Sequence, residues 1–92
     1  MYVILVYDIK VDEQGKRNLP RVHKICKKYL THIQNSVFEG EITEGNLMQL
    51  KVELSKHVRK NEDSVIVFKS RDSKWLTKMF WGIEDDKTSR FL

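Results

Sequence analysis

Residues 1–10, "MYVILVYDIK", place an unbroken apolar run from Tyr2 to Tyr7 in front of a single acid, Asp8. A strand with one wet face alternates polar and apolar residues. This run does not, so it predicts a strand over 2–9 that is covered on both sides, at the centre of a sheet. A polar loop follows, "KVDEQGK" (10–16). Next comes a helix over roughly 17–31, in which Leu19, Val22, Ile25, Cys26, Tyr29 and Leu30 recur at helical spacing. Asn18 is its expected N-cap, and Pro20 then falls in the first turn, where a missing N–H is tolerated.

"THIQNSVFEGEI" (31–42) turns extended. Asn35 and Ser36 are good turn residues, which favours two short strands folded at that pair over one long bent strand. Thr43 opens a second helix over about 44–60, with Leu47, Leu50, Leu54 and Val58 as its core stripe, and Asn61 to Asp63 end it. "SVIVFKS" (64–70) reads as another buried strand. The order strand, helix, strand, strand, helix, strand predicts an α+β, ferredoxin-like βαββαβ sandwich over residues 1–70 of one domain, 1–92. In the tail, 71–92, the stretch "SKWLTKMFWG" fits a helix through Trp75, Leu76, Met79 and Phe80, and a strand through Trp75, Thr77, Met79 and Trp81. Helices already occupy one face of the sheet. The preferred reading is therefore an extra extended segment along a sheet edge, that of a second subunit in a homodimer.

At 92 residues the chain suits one domain with a modest core. Its 33% charged and 40% hydrophobic residues exclude a disordered chain, and no apolar run approaches the ~20 residues of a membrane span. The first residues lack the basic start and small-residue cleavage site of a signal peptide, and the lone Cys26 cannot pair within the chain. Both point to a cytoplasmic protein with no membrane partner. The excess of 17 Lys and Arg over 13 Asp and Glu is small, so its distribution carries more information than its size.

Arg17, Arg21, Lys24 and Lys28 are spaced by four, three and four, so they share one helix face, with Lys16 and Lys27 beside it. Such a stripe suits phosphate backbones, and equally an ordinary solvated face. Asp8 ends a buried strand, and ligands gather beyond the carboxyl ends of strands in sheets with crossover helices. A carboxylate there suits Mg²⁺, which takes one or two protein carboxylates with water and phosphate oxygens. On position alone, a turn-starting aspartate that caps backbone amides is the commoner case. One carboxylate is too few for a closed site, but a symmetric dimer would bring two together. Two unit charges ~4 Å apart repel by about 4 kcal/mol at an effective dielectric of 20, which a shared cation would remove. His23, His32 and His57 show no ligand spacing; His23 and His57 read as helix-surface residues and Cys26 as a small core residue. There is no glycine-rich phosphate loop and no nucleophile triad.

Taken together, the apolar strand ending in Tyr7, Asp8 and Ile9, the basic helix "KRNLPRVHKICKKYL" and the segment "QNSVFEG" (34–40) resemble the CRISPR-associated protein two family, the smaller universal spacer-acquisition proteins. "DSVIVFK" and the tail through "GIE" fit as well, so the resemblance spans nearly the whole chain. It implies a ferredoxin-like homodimer whose C-terminal strands extend the partner's sheet. It implies two activities: Mg²⁺-dependent endonuclease action on single-stranded RNA or double-stranded DNA, and a non-catalytic bridge within the CRISPR integrase during spacer acquisition. The family's metal and catalytic aspartate maps onto Asp8, its basic helix positions onto Arg17 and Arg21, and its motif serine and phenylalanine onto Ser36 and Phe38, with Tyr7 in the strand motif. Members often carry Gly-x-Arg-Val-Gln before the serine; here the stretch is Leu30, Thr31, His32, Ile33, Gln34, so His32 replaces an arginine tied to activity in some members. Without the resemblance, the residues also suit a small ferredoxin-like regulatory or protein-interaction domain that has no nuclease activity.

Overall fold

A computed structural model describes residues 1–82. Strand β1 (Tyr2–Asp8) is followed by helix α1 (Glu13–Tyr29), the hairpin β2 (Thr31–Gln34) and β3 (Val37–Glu41), helix α2 (Glu44–Ser55) and strand β4 (Ser64–Ser70). The strands form one antiparallel sheet in the order β2-β3-β1-β4. This is the expected α+β, ferredoxin-like arrangement, with β1 at its centre. Asn35 takes the left-handed conformation that a tight hairpin turn asks of a non-glycine residue (φ 43°), which settles the hairpin against a single bent strand. Among the described residues, no helix is long and apolar enough to cross a membrane.

Strand alternation sorts the sheet into two faces. Val3, Leu5, Tyr7 and Phe38 face the helices and join Val22, Cys26, Leu50 and Leu54 in one buried core. On the other face Ile4 lies between Glu39 and Phe68, and Val6 between Val37 and Ile66. Among the described residues no helix covers that face. Ile66 and Phe68 are 51% and 55% exposed, and Tyr2, Ile4 and Val6 are half-buried. The expectation that β1 and "SVIVFKS" are covered on both sides is corrected for the described residues: the second face is apolar, the tail around Lys78 meets it beside Ile4 and Glu39, its β4 side is open, and β4 pairs only with β1 among these residues.

Two helix boundaries also move. Helix α1 begins at Glu13, with Asp12 rather than Asn18 as N-cap, because the Asp12 side chain accepts the Gly15 N–H at 2.8 Å. Gly15 is needed there, since a Cβ would lie 1.7 Å from the Lys10 carbonyl oxygen. Pro20 is thus inside the helix, on its exposed side, and Asn18 is buried with its side-chain oxygen accepting from Gln14. Helix α2 starts at the expected cap, Thr43, but stops at Ser55, because Arg59 and Asp63 organise the following turns through their side chains. After β4 the described tail is one short 3₁₀ turn (Ser73–Trp75) and irregular backbone to residue 82, with no added strand. The remainder of the expected C-terminal segment, 83–92, lies outside the described residues.

Candidate nucleic-acid and metal site

Asp8 is the last residue of β1, opposite Ser64, and strand alternation puts it on the open face with Val6 and Ile66. It is exposed, and its carboxylate takes no hydrogen bond or ion pair from any described residue. The capping role open to an aspartate in this region belongs to Asp12. The chain just beyond Asp8 is held firmly. The Lys10 N–H donates to Asp63 Oδ1 at 2.9 Å, and Arg59 donates to both Asp12 oxygens at 2.9 Å and to the Lys10 carbonyl at 3.1 Å. The Asp63 side chain is inaccessible; burial alone would raise its pKa, but hydrogen bonds from Arg59 and the Lys10 amide hold it below the usual carboxylate range. Asp12 is lowered too, by Arg59 first and the Gly15 amide second.

Among the described residues, no three His, Cys, Asp or Glu side chains converge on a point. Asp8 offers hard carboxylate oxygens suited to Mg²⁺, which is content with one or two protein carboxylates. One chain therefore offers such an ion a single carboxylate, Asp8.

The basic stripe divides. Lys16, Arg17, Arg21 and Lys24 are exposed on α1 and form no ion pair with a described residue. Lys28 pairs with Glu53 of α2 at 3.0 Å, beside the hydrogen bond from the Tyr29 hydroxyl to the same carboxylate. The Tyr29 hydroxyl and then Lys28 hold Glu53 below its ordinary value, so this end of the stripe is neutralised at neutral pH. The stripe lies on the helix side of the sheet and Asp8 on the open side. Within one chain the two are not brought onto a common face.

Tyr7 and Phe38 lie on the helix side of the sheet, opposite to Asp8, and Ser36 closes the β2–β3 turn. Phe38 is fully buried, and the Tyr7 N–H donates to the Ser36 carbonyl at 3.2 Å. The Tyr7 phenol is pushed up to about 12, by burial first and then by Cys26, so it stays neutral. It hydrogen-bonds His23 Nδ1 at 3.0 Å. The His23 ring lies 4.7 Å from the His32 ring, and the two are 5.1 Å and 4.9 Å from the Phe38 ring. His32 Nε2 donates to the Asn35 carbonyl at 2.8 Å. Burial, then His32 and Lys27, lower the pKa of His23. The reading of His23 as a surface residue is thus corrected: it is half-buried at the core's rim. Only the hairpin register, which sets His32 opposite Phe38, could have brought the two histidines together on paper.

The sequence profile of the family described as CRISPR associated protein Cas2 matches residues 1–78. A Fusobacterium nucleatum protein named CRISPR-associated endoribonuclease Cas2 is 53% identical over 92 residues, covering 100% of this chain and 87% of its own length. A Thermotoga maritima protein of the same name is 37% identical over 84 residues, covering 91% of each chain. The crystal structure of Streptococcus pyogenes Cas2 superposes with a TM-score of 0.74 at 26% identity, covering 87% of this chain and 99% of that one.

Proposed function

The chain belongs to the CRISPR-associated protein Cas2 family, and on that premise we propose that it is a nucleic-acid-binding homodimer of CRISPR adaptation. In this reading it bridges the integrase during spacer acquisition in the cytoplasm. The observation that carries it is the open sheet face. Ile66 and Phe68 are too exposed for a finished protein surface, and a second copy laid on this face would cover them. The exposed cations Lys16, Arg17, Arg21 and Lys24 would hold phosphate backbones on the outside of such a dimer.

A second reading, favoured by the unpartnered Asp8 carboxylate and by relatives named endoribonuclease, adds Mg²⁺-dependent cleavage of single-stranded RNA or double-stranded DNA. Asp8 from each chain would hold the ion, which when bound supplies a polarised phosphate and an activated water. The stripe would orient the strand, and the Arg59 network would keep the loop after Asp8 in place.

One pair of variants separates the readings. Asp8→Ala is expected to abolish metal-dependent cleavage while spacer acquisition continues; equal cleavage by both proteins would remove Asp8 from the chemistry. Arg17→Glu with Arg21→Glu is expected to abolish DNA binding and acquisition, and normal acquisition by that variant would sink the bridging role.

A further inference from the structure

Neither Asp8 nor the open face accounts for a hollow on the helix side, a cleft of about 760 Å³ between α1 and the β2–β3 turn. Its volume falls within the roughly 300–1,000 Å³ of small-ligand pockets. Leu19, Pro20 and His23 make a mostly apolar wall. Asn35 and Ser36 face it from the turn, and Tyr7, Lys24 and Lys27 complete the lining. Neither lysine has an ion-pair partner among the described residues. The His23 ring is pinned by the Tyr7 hydroxyl, the His32 ring and the Phe38 ring, so it meets a ligand already ordered.

A bare phosphate would use the lysines but leave the apolar wall in water. A base inside a duplex keeps both its π-face and its Watson–Crick edge occupied. An unpaired nucleotide satisfies every part: its base covers aromatic and apolar surface, its edge meets small polar groups, and its phosphate meets cations. We propose that this cleft receives one unpaired nucleotide of a bound strand, with the base against His23, Leu19 and Pro20, its edge toward Asn35 and Ser36, and its phosphate at Lys24 and Lys27. The inference rests on the nucleic-acid reading above and adds to it a subsite for one unpaired base.

The test uses the full chain in EDTA, so that nothing is cleaved. Three probes are titrated: a short single-stranded RNA, an abasic strand of equal length and charge, and duplex DNA. Wild type is expected to bind the intact strand about tenfold more tightly than the abasic one, the low end of what base–aromatic stacking supplies. His23→Ala is expected to erase that difference and leave duplex affinity unchanged. Equal affinity of wild type for intact and abasic strands would overturn the proposal while the nucleic-acid reading stands, and this comparison needs no variant to fold. Failure to bind any probe would overturn the nucleic-acid reading and the cleft with it.

Discussion

The two faces of this sheet come from the same four strands and end in opposite states. On the helix face, Val3, Leu5 and Phe38 are at most 1% exposed; on the open face, Ile66 and Phe68 are more than half exposed. In the sequence both faces look alike, because "YVILVYD" and "SVIVFKS" carry apolar residues at odd and even positions together. A hydrophobic pattern records burial in the assembly that works, whereas one chain records burial only in itself. The mismatch at Ile66 and Phe68 is therefore information about a partner.

The comparison would break most visibly at Phe38. Phe38→Ala is expected to cost about 3–5 kcal/mol, a large part of a small domain's stability, as read by urea unfolding. The matching truncation on the open face, Phe68→Ala, is expected to cost far less in dilute protein. Equal losses would mean that the open face is already sealed within one chain. Next in size is Gly15→Ala. Its Cβ would collide with the Lys10 carbonyl oxygen, so the β1–α1 loop must shift, and overpacking of this kind costs about 1–3 kcal/mol. An unchanged unfolding midpoint would show that the loop is not the rigid support for Asp8 that the Arg59 network suggests. Smaller again for the isolated chain is Phe68→Asp. It is expected to leave the fold intact, abolish the dimer in sedimentation velocity, and remove any dependence of Tm on protein concentration. A dimer that survives this charge would place the interface elsewhere.

The same contrast explains what could be read in advance. Element order and the hairpin were legible because Asn35, Ser36 and Thr43 act locally: a turn residue and a cap hydroxyl do their work within a few positions. The start of α1 was not, because "VDEQG" lacks apolar periodicity and its helix depends on a cap at Asp12 and a close approach at Gly15. The end of α2 was missed for a tertiary reason, since Arg59 reaches Asp12, 47 residues away. Within the site, Asp8 and the stripe were visible as residue types. That Glu53 neutralises Lys28, and that His23 joins Tyr7 and Phe38, depends on which elements meet in space.

The smallest predicted effect sharpens the helix face at His23. His23 stands at the core's rim, faced by the His32 ring, Lys27 and the neutral Tyr7 phenol, and burial with these neighbours lowers its pKa below 6.5. As pH falls through about 6.5, the unfolded chain takes up this proton before the folded chain does, so stability declines from neutral pH downward until the folded histidine also titrates. Asp12, Glu53 and Asp63 shift the other way. Their contribution is complete above their unfolded values, near 4, and fades only as pH drops further, so the two windows stay apart. Tm is therefore expected to fall modestly between about pH 7.5 and pH 5.5 in wild type, and to fall less in His23→Gln, whose amide keeps a partner for Tyr7 without taking up a proton in that range. An identical slope in both proteins would mean that the rim is wet enough for His23 to charge freely, and that the helix face is less closed at the cleft than at Phe38.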